Sequence, residues 1–223
     1  FLSLDALNDA IAATSATHVY AGYGFLSESA SLARAVTDAG ARFVGPSADV
    51  LAALADKARA RDFAESAGLS HLGLPLDAPP VDAYPLVLKA TAGGGGRGNL
   101  VVASKDGLED AKVTLAARAR ALFGDGTLIA ERYLSGVRHV EVQFFGFTGL
   151  GVRLLGTRDC SLQRRHQKVI EEGPASREAC AALAPYEAGI VRALTTLGYR
   201  GAGTLELLFS PSDGRLYFLE VNP

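Results

Sequence analysis

Two cysteines in 223 residues, no initiator methionine and no long apolar run set the first limits on this chain. Cys160 and Cys180 make neither a metal-ligand spacing nor a disulfide framework. A reducing compartment fits them best, the cytoplasm or, for a eukaryotic source, the mitochondrial matrix. No stretch approaches the apolar length of a membrane span. The start at Phe1 lacks the charged, then apolar, then small-residue pattern of a signal peptide. The missing methionine suggests a piece of a longer protein. The net charge of −2 provides no overall field for nucleic acid or an anionic membrane, so neither is expected as a partner. Anion binding must then be local. A hydrophobic fraction of 48% and a charged fraction of 21% are ordinary for a globular chain. The length allows one large or two small domains.

What is present is patterned. Helical spacing predicts helices over 4–13, 29–39, 48–54 and 57–66, with stops at Gly40 and Gly68. Short apolar runs predict strands at 18–20 and 42–44. This β-α-β-α rhythm implies a parallel sheet with covering helices, cut short on its N-terminal side. The Pro-rich, aperiodic stretch 75–84 reads as a linker and sets a domain boundary near residue 70. Strands are then predicted at 86–89, 99–103 and 128–133, with a helix over 108–123. Segments 138–147 and 151–156 read as a hairpin across Thr148-Gly149. A helix around 178–197 contains Pro185, which should kink it or move its start.

The last stretch carries the most chemistry. Two apolar runs, 204–209 and 216–221, flank a Ser210-Pro-Ser-Asp-Gly214 turn and read as a β-hairpin. Glu206 and Glu220 are equally far from Asp213, so a regular register sets them opposite each other on one face. Like charges there weaken a strand pair. With Asn222 two residues further on, the pattern points to a cation between oxygen ligands, of which magnesium is the natural choice. A solvent-facing glutamate pair on an edge hairpin is the competing reading.

Other local features point to an anion. The run Thr91-Ala-Gly-Gly-Gly-Gly96-Arg97-Gly98 lies between two apolar strands, where backbone N–H groups can approach a phosphate. It matches neither a Walker A loop nor a dinucleotide fingerprint. A flap over nucleotide phosphates suits it better than a plain linker. Lys89 ends the strand before it, a place where a lysine wants a partner. Lys57 opens a helix, which alone carries no weight. Glu131-Arg132-Tyr133-Leu134 leaves a strand end and could offer backbone groups to a purine, or simply end the strand. Arg158-Asp-Cys-Ser-Leu-Gln163-Arg-Arg-His166-Gln-Lys168 is dense in donors. It reads as a local anion site, with a solvated face or a nucleic-acid patch as competing readings, and the lack of interleaved aromatics argues against single-strand stacking.

These stretches, with Gly22-Tyr-Gly-Phe-Leu-Ser-Glu28, Phe43-Val-Gly-Pro46, Arg138-His-Val-Glu141 and Gly198-Tyr-Arg-Gly-Ala-Gly-Thr204, together resemble the ATP-grasp biotin carboxylase family, and they run in family order along nearly the whole chain. The resemblance implies an α/β chain, with a partial Rossmann-like pre-ATP-grasp domain over 1–70 and an ATP-grasp fold over 71–223. It implies ATP binding by Lys57, Lys89, Gly95, Gly96, Glu131, Arg132, Tyr133, Leu134, His139, Gln163 and His166. Glu206 and Glu220 would hold magnesium or manganese beside ATP, with Asn222 at a second ion, and Lys168 would position bicarbonate. The implied reaction phosphorylates bicarbonate to carboxyphosphate and carboxylates biotin on a carrier domain. A carboxyltransferase component is then a partner, and a homo-oligomer is compatible with the family. Another ATP-grasp carboxylate ligase and a degenerate nucleotide-binding module remain rival readings. The sequence departs from the family at Tyr20-Ala21, Ala55, Asn99 and Thr157, and in a short 68–84 span. It also stops at Pro223, before the family's base and biotin-steadying arginine, so the piece by itself is expected to be inactive.

Overall fold

Four helices begin where the sequence offers a serine. The side chains of Ser3, Ser29, Ser47 and Ser176 accept hydrogen bonds from backbone N–H groups three residues on, the N-cap arrangement that satisfies otherwise orphaned donors. The computed structural model describes residues 3–22, 24, 26–91, 98–164 and 167–223. In chain order, α1 (Leu4–Thr14), β1 (His18–Val19), α2 (Ala30–Asp38) and β2 (Arg42–Phe43) make the first unit, and β1 pairs parallel with β2 as the rhythm predicts. Its small core joins Ile11, Leu32, Val36 and Ala41.

Helices α3 (Ala48–Ala55) and α4 (Lys57–Ser66) follow, with Asp56 Oδ1 accepting from Arg59 N at the start of α4. Two-residue strands β3 (Ser70–His71) and β4 (Gly73–Leu74) come next, too short to leave a pattern in the sequence. Strands β5 (Leu86–Ala90) and β6 (Asn99–Val102), helix α5 (Leu108–Phe123) and strand β7 (Leu128–Arg132) build a four-stranded antiparallel sheet of order β4-β7-β5-β6. Leu86, Leu88, Ala130 and Leu115 are buried between that sheet and α5.

The remainder forms a six-stranded sheet. Its strands are β3 together with β8 (Arg138–Phe147), β9 (Gly151–Arg164), β10 (Gln167–Glu172), β11 (Gly201–Ser210) and β12 (Arg215–Asn222), in the order β10-β9-β8-β11-β12-β3. Helices α6 (Arg177–Leu183) and α7 (Glu187–Thr196) cover one face, and the single helix expected there is split by a 3-10 turn at Ala184–Tyr186, where Pro185 lies. The largest core lies on this face and draws in Leu54, Phe63 and Ala64 from α3 and α4, besides Val140, Val142, Leu205 and Leu207. Strand β9 runs past the expected end at Gly156 to Arg164 and pairs with β10. The sequence hid this pair because all six positions of β10 are exposed, leaving no apolar alternation to read.

One close approach fixes α7 against the end of α4. A Cβ on Gly189 would lie 2.3 Å from the Ala67 carbonyl oxygen. Helix propensity alone would make Gly189→Ala stabilising by about 1 kcal/mol. We expect the reverse, a net loss of about 1–2 kcal/mol in urea unfolding, because the methyl group must push two backbones apart. A gain in stability would mean that the helices do not touch there.

Candidate functional site

The face of the six-stranded sheet opposite its helices carries the polar residues. Register sets Arg158 on β9, Glu141 on β8, Glu206 on β11 and Glu220 on β12 in one row across four strands. The neighbouring row holds Gln143, Thr204 and Asn222. Alternate residues on the same strands, Val140, Val142, Leu205 and Leu207, are buried in the core.

Glu206 does stand opposite Glu220, but by a different route from the one expected. The turn closes at the Ser210–Arg215 pair, and the pairs up to Leu207–Phe218 keep that register. Continued regularly, it would set Leu219 against Glu206 and turn Glu220 toward the core. A bulge at Leu219 inserts one extra residue, restoring the Glu206–Glu220 pair and leaving both Phe218 and Val221 inside. A bulge that re-aims a side chain in this way is common beside functional sites.

Cations hold the carboxylate row together. Lys168 reaches from β10 to Glu141 Oε1 and to Glu206 Oε1, the latter at 2.8 Å. Arg158 Nε donates to Glu141 Oε2 at 3.1 Å and the guanidinium also pairs with Glu171. Gln143 Nε2 donates to Glu141 Oε2 at 3.0 Å. Glu141 is completely buried and Glu206 is 6% exposed. Burial alone would raise both carboxyl pKa values, but Lys168 and Arg158 at Glu141, and His139 and Lys168 at Glu206, outweigh it and hold both below the ordinary value. Burial alone would lower the Lys168 pKa, and its two carboxylate partners raise it instead. Burial pushes the Cys160 thiol up to about 12, so it stays neutral beside this network.

Glu220 and Glu28 behave oppositely. Both lie at the cleft, exposed to solvent yet crowded by protein, and crowding first, then neighbouring carboxylates, raises their pKa values. Glu206 is a charge felt by both. Two carboxylates in register whose charges oppose each other favour a cation.

The donor set fits a hard cation at Glu206 and Glu220. Asn222 Nδ2 donates to Glu206 Oε1 at 2.7 Å, which leaves its carbonyl oxygen as a candidate ligand. His139, Glu141 and Glu206 also offer ligand atoms within 4.8 Å of one another. Glu141, however, is committed to Lys168, Arg158 and Gln143, so Glu220 is the better second carboxylate. Gln163 Nε2 donates to His139 Nδ1 at 2.7 Å, which places the imidazole proton on Nε2. That nitrogen is buried without a well-aligned hydrogen bond, although Glu206 Oε2 is 2.9 Å away. A buried donor in this condition suits a site that a ligand completes.

A cavity of about 1240 Å³ joins this face to the four-stranded sheet and to α3 and α4. Lys57, Lys89, Glu131, His139, Gln163, Lys168, Glu206, Glu220 and Asn222 all line it. Lys89 pairs with Glu131 Oε2 across β5 and β7. Arg132, Tyr133 and Leu134 are not among the lining residues. Arg132 N donates to Leu72 O at 2.8 Å and its guanidinium reaches Asp82 O, while Tyr133 is exposed. Gly95, Gly96 and His166 lie outside the described residues. Sequence reasoning missed Arg61 as part of the cleft wall, and Glu141 and Arg158 as parts of the ion-pair network behind it. The signal for Glu141 was its place two residues from His139 on one strand face, and for Arg61 its place one helical turn after Lys57.

Two sheets that enclose a cleft, an antiparallel one with a lysine beside a glycine run and a mixed one with a carboxylate hairpin, define the ATP-grasp architecture. Residues 76–223 match the family described as carbamoyl-phosphate synthase L chain, ATP binding domain, and residues 1–51 match the biotin carboxylase N-terminal domain. The chain belongs to the biotin carboxylase family of ATP-grasp proteins. It is 43% identical over 235 residues to the biotin carboxylase of Pseudomonas aeruginosa, covering 100% of this chain and 51% of that protein. The structure of a biotin carboxylase complex with β,γ-ATP from Campylobacter jejuni matches with a TM-score of 0.88 and 35% identity, over 99% of this chain and 52% of that one. The biotin carboxylase domain of the 2-oxoglutarate carboxylase from Hydrogenobacter thermophilus, in complex with MgADP, ADP and bicarbonate, matches with a TM-score of 0.88 and 33% identity, over 100% and 51% of the two chains. The chain thus spans about half the length of the curated relatives it matches.

Proposed function

We propose that this chain carries the Mg-ATP and bicarbonate sites of a biotin carboxylase, with residue 70 dividing a partial pre-ATP-grasp domain from the ATP-grasp domain. The observation that carries the reading is that Lys168, tied to both Glu141 and Glu206, shares one cleft with Lys57, Lys89 and the Glu206–Glu220 pair. In it, Lys57 and Lys89 hold phosphates, and adenine lies at the strand end that begins with Glu131 on the cavity wall and runs through residues 132–134 just outside its lining. His139 and Gln163 lie at the ribose, and Gly95, Gly96 and His166 complete the nucleotide site. Glu206 and Glu220 hold the cation with Asn222 nearby, and Lys168 positions bicarbonate. A bound magnesium ion supplies charge neutralisation between the phosphates. A bicarbonate oxygen then takes the γ-phosphoryl group from ATP, releasing ADP and giving carboxyphosphate. Carboxyphosphate breaks into carbon dioxide and inorganic phosphate, and the carbon dioxide bonds to N1 of biotin as that nitrogen gives up its proton. The biotin is borne by a carrier domain that passes the carboxyl group to a carboxyltransferase, in the cytoplasm or the mitochondrial matrix. No described helix is long and apolar enough to cross a membrane.

Calorimetry tests the metal half of this reading. Glu220→Gln keeps size and loses charge, and Mg-ATP affinity should fall on the order of tenfold with the fold intact. Equal affinity in parent and variant would remove Glu220 from the cation site. Bicarbonate-dependent ATP hydrolysis by the full-length gene product, with free biotin present, tests the chemistry. Hydrolysis that ignores bicarbonate would favour another ATP-grasp ligase, and nucleotide binding without turnover would favour a non-catalytic module.

A further inference from the structure

A second cation stands behind Lys89. Arg61 lies four residues after Lys57 on α4, so both side chains reach the same cleft. Its guanidinium lies over the backbone of Gly73, where a Cβ would sit 2.6 Å from Arg61 Cζ. Gly73 is the register partner of Glu131. Arg61 Nη2 is 3.9 Å from Glu131 Oε1, while Glu131 Oε2 holds Lys89. That Nη2 atom is buried and has no hydrogen-bond partner. One carboxylate therefore serves two cations. Lys89 is engaged, and Arg61 waits just beyond hydrogen-bond reach. A buried guanidinium N–H left in this state costs free energy that a short movement would recover.

We propose that Arg61 is a positioning residue for Lys89: when a nucleotide phosphate draws the Lys89 ammonium off Glu131, Arg61 closes onto the carboxylate that Lys89 leaves. The inference rests on the nucleotide reading of this cleft and adds a partner exchange to it. Glu131 has a side chain only 16% exposed, so without Arg61 it would lose its counter-charge as Lys89 moved, and it would pull Lys89 back. Arg61 removes that penalty. Gly73 is part of the device, because any larger residue would displace the guanidinium from its place beside Glu131.

The test is binding of Mg-ATP and of adenosine to the full-length gene product by calorimetry or NMR. Arg61→Gln should weaken Mg-ATP binding on the order of tenfold and leave adenosine binding unchanged, since adenosine has no phosphate to draw Lys89 away. Arg61→Lys should restore most of the Mg-ATP affinity. Gly73→Ala alters no charge, and it should weaken Mg-ATP by a similar factor. The double variant should be no weaker than Arg61→Gln alone, as two changes acting through one contact are not additive. Equal Mg-ATP affinity in Arg61→Gln and parent would overturn the proposal. So would equal losses for Mg-ATP and adenosine, which would make Arg61 merely structural, or independent losses from the two substitutions. A parent chain that binds neither ligand would instead overturn the nucleotide reading itself.

Discussion

Glu141→Leu should lower stability by about 3 kcal/mol, the low end of what breaking a buried ion pair costs, because Lys168 and Arg158 can both turn partly toward solvent. Glu141 is fully buried and receives Lys168, Arg158 and Gln143. Removing it leaves two cations facing an apolar side chain, with only Glu206 and Glu171 to hold them. For a chain of this length the midpoint of thermal unfolding should fall by roughly 6–12 °C. The double variant Glu141→Leu/Lys168→Met should recover part of the loss, because the stranded charge goes with its partner. The pH dependence provides a second readout. Glu141 and Glu206 have carboxyl pKa values held below the ordinary 4.5, and Asp159, paired with Arg138, is held below 3.8. A carboxyl lowered by folding stabilises fully above its unfolded value, and that stability is lost as pH falls through the lowered one. Parent stability should therefore drop steeply below about pH 4.5, and the drop should be shallower in Glu141→Leu. A variant as stable as the parent, with the same acid limb, would mean that the Glu141 network adds nothing to the fold.

The sequence revealed this network unevenly, for physical reasons. Helices with apolar spacing and glycine stops stood out because each signal is local. The Glu206–Glu220 pair was also found, although two departures from regularity cancel in it. The turn is centred between Ser212 and Asp213 rather than on Asp213, and the bulge at Leu219 restores the difference. Bulges have no reliable mark in a single sequence, so the pair was legible and its cause was not. Glu141 stood out only as the end of the Arg138-His-Val-Glu141 stretch, with no role of its own. Its ion pair depends on β10, the edge strand beside β9, whose Lys168 lies 27 residues away in sequence. β10 itself has no apolar face to announce it. Arg61 was not singled out, because its neighbours, Gly73 and Glu131, come from two other strands. Non-local contacts of this kind are what a pattern of local propensities omits.

Glu206→Gln should have the larger effect on binding, on the order of a hundredfold loss of Mg-ATP affinity against about tenfold for Glu220→Gln. The difference follows from position. Glu206 is the middle carboxylate of the row, with Glu141 opposite on one side and Glu220 on the other. Lys168, His139 and Asn222 all converge on it. Neutralising it removes a proposed cation ligand, loosens Lys168 from one of its two anchors and takes the negative partner from His139. Glu220 sits at the exposed edge of the row, and its loss leaves those contacts in place. The distinguishing measurement is calorimetric titration of ATP with and without magnesium. In the parent, magnesium should strengthen binding. In Glu206→Gln, the two titrations should become nearly alike, because the site that couples metal to nucleotide is gone. If magnesium still tightens ATP binding to Glu206→Gln as much as to the parent, the cation is held elsewhere, and Glu206 would belong to the ion-pair scaffold of Glu141 and Lys168 rather than to a metal site.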